Sequence, residues 1–175
     1  MNLNIRITNH IKGEQEILEQ FLYYAVFVRP NTPKPPHSIV HEPELQPYIA
    51  GWGKPDDHAV FACLDENVVG VCWTRCFAKD QHGYGTIAPE IPELSIAVLP
   101  EHRSKGIGSK MLSTLIQNIK NDYPAVSLSV STSNPAKALH ERFGFRTVRK
   151  TSETVIMIKD FYASCKHTEN RCIEN

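Results

Sequence analysis

The sequence predicts a mixed α/β domain in which helices cover both faces of a central sheet. Three observations predict it: strand-like segments recur along the chain, helical stripes separate some of them, and a glycine-containing loop joins one strand directly to one helix. The 175 residues suit one domain with one core. We expect that domain to span residues 1–162, and residues 163–175, which are polar and aperiodic, to form a loose tail.

The composition excludes several classes of protein. Hydrophobic residues make up 41% of the chain and charged residues 22%, which is typical of a soluble globular protein. No apolar run reaches the ~18 residues that a membrane helix needs, and the N-terminus lacks the apolar region of a signal peptide, so we expect a cytoplasmic location. The formal net charge is zero and no basic stripe occurs, so we expect neither nucleic acid nor a membrane as a partner.

The five cysteines and eight histidines predict neither a disulfide framework nor a metal site. We expect the cysteines in apolar runs to be core residues and those in the tail to be free thiols. The first group is Cys63, Cys72 and Cys76, and the second is Cys165 and Cys172. His37 and His41 are four residues apart, but the prolines just before them argue against a helix that would pair them on a metal.

The first elements follow from hydrophobic periodicity. Residues 3–8 alternate apolar and polar side chains, which predicts a strand. Residues 14–28 carry an apolar helical stripe, which Pro30 ends. Residues 58–64 and 68–77 predict two strands joined by a short turn, an apparent hairpin.

A proline-rich section, residues 29–57, lies between the first helix and this hairpin. The prolines exclude a long helix or a central strand, but they allow a short helix near residues 44–49. Tyr48 and Trp52 are the aromatic residues of interest here. They either pin the loop to the core or wall a substrate pocket, because loops often carry binding residues on a rigid scaffold. The residues alone leave both alternatives open.

The most informative stretch is residues 93–109. The apolar run 94–99 predicts one buried strand, and Pro100 ends it because proline has no N–H for a ladder. The basic loop 103–108, with two glycines, comes next. A helix with an apolar stripe follows this loop and runs to about residue 121.

This order of strand, glycine loop and helix can bind an anion. A helix start presents unpaired N–H groups and a partial positive charge, and Arg103 and Lys105 add charge nearby, so the site suits a phosphate or pyrophosphate. The alternative is a tight turn with no ligand. The P-loop pattern is absent, and no third glycine follows Gly108 three residues later, so the dinucleotide fingerprint is incomplete.

The rest of the chain continues the same alternation. Asn134 is a good N-cap, Pro135 suits the first helical position, and Gly144 suits the position after a helix. The remaining predicted elements are a strand at residues 125–131, a helix at 136–143, and a closing hairpin of strands at 145–150 and 154–159.

Two segments resemble motifs of the GNAT superfamily of N-acetyltransferases. Val98-Leu99-Pro100 followed by Arg103-Ser104-Lys105-Gly106-Ile107-Gly108 is similar to its acetyl-CoA motif. The segment from Asn134 to Phe145 is similar to its Asn-x-x-Ala…Leu-Tyr-x-x-x-Gly-Phe signature. The order of elements is also that of the GNAT fold, so the resemblance covers roughly residues 3–160. It implies a mixed, mostly antiparallel sheet that is splayed at the acetyl-CoA site.

The resemblance implies acetyl-CoA as the acetyl donor and no metal. Backbone amides of the glycine loop would bind the pyrophosphate, the preceding strand would hold the thioester arm, and the second motif would contact the pantetheine. The implied coenzyme-binding residues are Ile96, Ala97, Val98, Arg103, Ser104, Lys105, Gly106, Ile107, Gly108, Ser109, Asn134, Ala136 and Leu139.

Acetyl transfer to an amine needs a neutral amine, a donor for the carbonyl oxygen, and a proton or positive charge for the departing sulfur. Glu93 is the candidate base, since family members often carry a glutamate on this strand; the alternative is an exposed glutamate at a strand end. The Val98 N–H is the expected oxyanion donor. His140 stands where the signature has tyrosine, and it either protonates the sulfur or only packs or contacts substrate.

The implied function is transfer of an acetyl group to a primary amine, on a small molecule or a peptide, in a ternary complex. The opposing hypothesis is a non-catalytic acyl-CoA-binding or sensor domain, which the missing tyrosine favours and Glu93 opposes. Relatives are often homodimers, although no segment here marks an interface. In this family the region between the first two helices commonly covers the acceptor, which favours the pocket role for Tyr48 and Trp52.

Overall fold

The structure is a computed structural model that describes residues 4–161. The predicted tail, with Cys165 and Cys172, lies outside the described residues. The strands are β1 (Ile5–Thr8), β2 (His58–Leu64), β3 (Asn67–Arg75), β4 (Glu93–Val98), β5 (Ala125–Ser131), β6 (Arg146–Lys150) and β7 (Thr154–Asp160). Within the described residues they form one seven-stranded sheet in the order β1-β2-β3-β4-β5-β7-β6. Its neighbours are antiparallel except β4 and β5, which are parallel.

Helices cover both faces of this sheet, as predicted. They are α1 (Glu14–Ala25), α2 (Ile107–Ile119) and α3 (Ala136–Arg142), and 3-10 turns lie at His37–His41, Gln46–Tyr48 and Pro100–His102. Phe21 of α1 is buried in one cluster with Ala97 of β4, whereas Met111 of α2 is buried in another with Leu94. Because alternate residues of a strand face opposite sides, α1 and α2 lie on opposite faces. No helix in the described part of the chain is long and apolar enough to cross a membrane.

The sheet is splayed between β4 and β5, which confirms the predicted fold class. β4 pairs with β3 along its whole length, from Glu93 to Val98. It pairs with β5 only at Glu93, opposite Ser127, beside a 3.0 Å hydrogen bond from the Ser127 N–H to Pro92 O. Beyond this pair the strands separate and leave a gap that opens toward their C-terminal ends.

Two predictions about the region after α1 were wrong in detail. The helix ends at Ala25 and Val26 is extended, three residues before the predicted end. The β-branched and aromatic residues 26–28 favour extended backbone, so the helix stops well before Pro30. His37–His41 forms a 3-10 turn although prolines precede it, because a proline ahead of the first turn removes an N–H that would have no partner anyway.

Other local predictions need smaller corrections. Pro135 precedes α3 instead of being its first residue, while Asn134 Oδ1 accepts the Ala136 N–H at 2.9 Å and so satisfies the start of the helix. Cys63 and Cys72 are buried core thiols, as predicted, but Cys76 is only half-buried. All three are free.

Candidate active site

Glu93, the predicted base, is the first residue of β4 and is 3% exposed. Its Oε1 accepts hydrogen bonds from the Tyr48 hydroxyl at 2.7 Å and from the Gly85 N–H at 2.8 Å. Its Oε2 accepts one from the Thr86 hydroxyl at 3.0 Å. Glu93 is therefore not an exposed glutamate at a strand end. Since a carboxylate offers about four acceptor positions, one remains for a further proton donor.

The surroundings of this carboxylate tune its basicity. Burial raises the pKa of the Glu93 carboxyl above its usual value, although the hydrogen bonds from Tyr48, Gly85 and Thr86 act in the opposite direction. Burial and the neighbouring carboxylate also raise the pKa of Tyr48, so its hydroxyl stays protonated and donates. Among residues 4–161 no cation forms an ion pair with Glu93. A buried carboxylate with a raised pKa and no cationic partner suits a general base.

The loop between β3 and β4 closes over the carboxylate and depends on two glycines. A Cβ added to Gly83 would collide with Glu93 Oε2. A Cβ on Gly85 would lie 2.6 Å from the backbone of β5, closer than real Cβ atoms come. The loop therefore packs directly on both the carboxylate and β5, near the point where β5 leaves β4. The sequence alone does not indicate this role, because two glycines separated by one residue match no motif by themselves.

The two aromatic residues of the proline-rich section serve different purposes. Tyr48 is 6% exposed, and its oxygen contacts Glu93 and accepts the Tyr84 N–H at 2.7 Å. Trp52 donates from Nε1 to Glu14 Oε2 at 2.9 Å, which holds the section against α1. Trp52 therefore holds the loop against the core, whereas Tyr48 belongs to the candidate site.

The loop between β4 and α2 has the backbone shape of an anion site. Gly106 precedes α2 with φ 78°, a left-handed conformation that favours glycine, and a Cβ there would meet nothing within 4 Å. The exposed cations lie beside this open bend: Arg103 Nε donates to Val98 O at 2.9 Å and Lys105 Nζ to Glu101 O at 2.7 Å. No described side chain caps α2, so its first N–H groups can receive an anion.

Three other residues predicted in this loop differ in what they offer a ligand. Ser104 is exposed and has a left-handed backbone conformation, with φ 59°. Ile107 is 2% exposed and packs in the core, so only its backbone is available. Ser109 is half-buried in the first turn of α2.

The structure brings three predicted coenzyme residues from three elements together at the gap. A Cβ on Gly108 would lie 3.4 Å from Leu139 Cδ2 and 3.7 Å from Ile96 Cδ1. Ala97 is 5% exposed and packs toward α1, so it can contribute only backbone groups. Ala136 is half-buried at the start of α3, on the same side of the sheet as Leu139. These residues meet where β4, α2 and α3 come together.

The Val98 N–H points into the gap. Leu99 donates its N–H to Val69 O of β3 at 2.9 Å. Successive N–H groups of a strand point to opposite sides, so the Val98 N–H is directed away from β3. This is the direction that an oxyanion donor at Val98 requires.

His140 lies on α3 and is 3% exposed. Its ring packs edge-on against Phe145 at 5.6 Å, and its Nδ1 is buried without a partner in residues 4–161. Burial lowers the pKa of His140 to about 4, so the ring is neutral near pH 7. The surroundings therefore disfavour a charged imidazolium acid at this position.

A cleft of about 420 Å³ lies between the segment after α1 and the turn that joins β6 to β7. Arg29 and Glu153 form an ion pair across it at 2.9 Å. The Thr132 N–H donates to Glu153 O at 2.9 Å, which ties this turn to the end of β5. This bond places one wall of the cleft beside the C-terminal end of β5.

Comparison with known proteins identifies the family. Residues 23–145, more than half of the chain, match the acetyltransferase (GNAT) family. The chain belongs to the GNAT family. The N-alpha-acetyltransferase of Saccharolobus solfataricus is 36% identical over 112 residues, which are 58% of this chain and 60% of that relative. Human cysteine-rich protein 2-binding protein is 37% identical over 91 residues, 49% of this chain but 11% of that protein. The chain thus spans little more than half of one relative and a small part of the other.

Solved structures share the GNAT fold. The Escherichia coli ribosomal-protein-S18-alanine N-acetyltransferase superposes with a TM-score of 0.63 at 15% identity, over 93% of this chain and 97% of that one. The PaiA N-acetyltransferase of Thermoplasma acidophilum, solved with coenzyme A, gives 0.64 at 18% identity, over 90% and 99%. At these identities the likeness concerns the fold alone.

GNAT acetyltransferases use acetyl-CoA, and the residues present fit that molecule. The bend at Gly106 is open, the start of α2 lacks a side-chain cap, and the gap is bordered by Ile96 and Leu139. In the described residues no group of three or more His, Cys, Asp or Glu is placed to hold a metal ion. The loops that cover Glu93 come from outside the two family motifs, which is why the motifs did not reveal them.

Proposed function

We propose that this GNAT protein transfers the acetyl group of acetyl-CoA to a primary amine by direct attack in a ternary complex. The observation that carries the proposal is the buried Glu93 carboxylate, which has no cationic partner in the described structure. It lies at the last residue pair that joins β4 to β5. A base at this position is next to the gap in which an acyl group held by β4 would lie.

Acetyl-CoA supplies an activated thioester carbonyl. The start of α2 binds its pyrophosphate, and Ile96, Gly108 and Leu139 border the thioester arm. The Val98 N–H donates to the carbonyl oxygen as charge develops there. The neutral, packed ring of His140 supports a packing role more than a role as a charged acid.

Glu93 accepts the proton that the acceptor ammonium must lose before its nitrogen can attack. Ser127 lies opposite Glu93 on β5, and its Oγ is buried without a hydrogen-bond partner among the described residues. A buried hydroxyl of this kind commonly binds an ordered water, so Ser127 is placed to hold a water that relays the proton. The amine nitrogen then bonds to the acetyl carbon, the carbon–sulfur bond breaks, and coenzyme A leaves as a thiolate that takes up the proton which the nitrogen loses as it becomes an amide.

We propose that the acceptor enters through the cleft at Arg29 and Glu153, because the Thr132–Glu153 hydrogen bond joins its wall to the end of β5. The name of the archaeal relative supports the α-amino group of a polypeptide as the acceptor.

The free thiols of Cys63, Cys72 and Cys76 support a reducing compartment, the cytoplasm.

One observation favours the second candidate, a non-catalytic acyl-CoA sensor. Three donors already enclose the Glu93 carboxylate, so little of it faces solvent. A thiol-release assay with acetyl-CoA separates the two functions. The acceptors are a peptide with a free N-terminus, the same peptide with a blocked N-terminus and an internal lysine, and a small polyamine. We expect release with the first peptide; release with none of them, together with calorimetric binding of acetyl-CoA, would establish the sensor.

A further inference from the structure

Arg75 and Glu93 are directly opposite each other on β3 and β4, yet their side chains do not pair. Both are 3% exposed, and directly opposed residues of a sheet project from the same face. The Arg75 guanidinium instead forms a bidentate pair with Asp57, with Nε to Oδ1 at 2.8 Å and Nη2 to Oδ2 at 2.6 Å. The Asp57 side chain is 2% exposed, so this ion pair is buried.

The rest of the guanidinium holds the segment that carries Tyr48. Nη1 donates to Pro47 O at 3.1 Å and to Ala50 O at 2.7 Å, and Nη2 donates to Gly51 O at 3.3 Å. All five N–H donors of Arg75 are therefore engaged. The Tyr48 hydroxyl, between these anchor points, reaches Glu93.

The charged and titratable groups around Glu93 can be named from each element packed against it. Tyr48 comes from the anchored segment, Tyr84 from the loop before β4, Arg75 from β3, while β5 presents the uncharged Ser127. Arg75 is the only cation in this set, and Asp57 accepts its bonds. Although burial works to raise it, the hydrogen bonds from Arg75 hold the pKa of Asp57 below its usual value, so the pair is ionised near pH 7.

We propose that Arg75 and Asp57 are positioning residues of the acetyl-transfer site. Their ion pair fixes residues 47–51 so that Tyr48 meets Glu93, and it keeps the Arg75 guanidinium off the Glu93 carboxylate. The inference rests on the proposed role of Glu93 as the base. It adds a reason why a buried arginine beside that base does not neutralise it: Asp57 is a competing and geometrically better partner.

Two variants test the two halves of the inference. Arg75→Lys keeps the charge but cannot hold a carboxylate and three carbonyls at once, so the segment that carries Tyr48 loosens. We expect kcat to fall about tenfold and the acid limb of the pH–kcat profile to move to higher pH as Glu93 loses the Tyr48 hydrogen bond. Asp57→Asn releases Arg75 toward Glu93, so we expect the acid limb to move to lower pH by about one unit. In both variants the KM for acetyl-CoA should change less than about twofold, because the α2 loop is untouched.

The controls separate positioning from general stability. Asp160→Asn breaks the exposed Arg146–Asp160 pair and should leave kcat and the acid limb unchanged. The double variant Asp57→Asn/Arg75→Met removes both charges and the anchors of the Tyr48 segment, so the acid limb should return to the wild-type pH or move above it, while kcat stays low. If Asp57→Asn does not fold, Arg75→Lys and the double variant still test the inference.

A wild-type kcat in Arg75→Lys would contradict the role of Arg75 in positioning Tyr48. An unmoved acid limb in folded Asp57→Asn would contradict the role of Asp57 in keeping Arg75 away from Glu93. Failure of the proposed role of Glu93 looks different, since Glu93→Gln would then retain wild-type activity at every pH, and failure of the proposed function would leave the wild type itself without thiol release. A slow Glu93→Gln beside wild-type behaviour of both ion-pair variants would reject only the present inference.

Discussion

The Tyr48 hydroxyl donates a 2.7 Å hydrogen bond to Glu93 Oε1, although the two residues are 45 positions apart in the chain. The bond joins the proline-rich section to the start of β4. The same oxygen accepts the Tyr84 N–H at 2.7 Å, so it also ties down the loop between β3 and β4. One phenol thus connects both segments that cover the proposed base.

Tyr48→Phe should change the proton affinity of Glu93 and leave the rest of the site in place. The hydrogen bond from Tyr48 lowers the pKa of Glu93, so its loss should raise that pKa and move the acid limb of the pH–kcat profile to higher pH. A hydrogen bond to a charged group contributes about 1.5–3 kcal/mol, which sets an upper bound of about one to two pH units. Steady-state kinetics at saturating acetyl-CoA, over a range of about pH 5.5 to 9, measure the shift.

Tyr24→Phe is the matched control for this substitution. Tyr24 lies on α1, where its ring packs against Phe21 and Tyr23. The control substitution therefore removes the same hydroxyl group at a position away from the site. Its pH profile should equal that of the wild type. A Tyr48→Phe profile that also equals the wild type would disconnect the phenol from the base.

Glu93→Gln should lower kcat by about 10²-fold near pH 7, since a positioned general base contributes about 10²–10⁴-fold. Burial raises the pKa of Glu93, so the wild-type rate should fall as pH drops through that raised value, and the variant should lack this limb. The difference should shrink at high pH, where the amine is already neutral. Calorimetry should give the same acetyl-CoA affinity for both; an affinity loss that matches the rate loss would argue for a structural role.

Gly108→Val should weaken acetyl-CoA binding by about tenfold or more. A Cβ at Gly108 already approaches Leu139 and Ile96 to 3.4 Å and 3.7 Å, so the two methyl groups of valine would occupy the space beside the gap. Ser113→Val, on the exposed side of α2, controls for the helix propensity of valine. Titration calorimetry with coenzyme A measures the effect, and equal affinities in the two variants would remove Gly108 from the binding site.

His140 should make stability depend on pH. Burial lowers the pKa of His140 to about 4, so the unfolded chain binds the proton more readily, and stability should fall as pH drops from 7 toward 5. For a normal pKa near 6.5 in the unfolded chain, the loss over this range is about 2 kcal/mol. His140→Leu should lack this part of the decline in urea unfolding. An equal decline in both proteins would show that the buried ring is not responsible.

The same variant tests the acid role. If His140 only packs against Phe145, kcat at pH 7 in His140→Leu should stay within about threefold of the wild type. A loss of about 10²-fold with unchanged stability would instead make the ring a proton donor to the departing sulfur.

The strand–loop–helix unit from Glu93 to Ile119 could be predicted because its signals are local. Pro100 ends a strand, Gly106 takes a left-handed conformation, and the apolar stripe of α2 follows at once. The splay at β4 and β5 followed from the family resemblance, and the single pair at Glu93 and Ser127 confirms it. Each of these features depends on neighbours in sequence or on a motif.

The enclosure of Glu93 could not be predicted, because it depends on the path of two loops through space. Nothing near Tyr48 in the sequence indicates that its hydroxyl reaches β4. Arg75 and Glu93 would be expected to pair once their register is known, but Asp57 takes the guanidinium. Tertiary geometry decides which carboxylate the guanidinium binds, and local sequence patterns do not encode that geometry.

The separation of β4 from β5 divides the sheet into a four-stranded part and a three-stranded part that share one rung. Along the rest of β4 the amides that face away from β3, including the Val98 N–H, have no ladder partner from β5. An extended ligand that carries amide groups can form hydrogen bonds with these unpaired groups and so connect the two parts of the sheet. The bound acetyl donor would then occupy the position of an eighth strand. We expect the backbone of the sheet to be least mobile with the donor bound and more mobile after the product leaves.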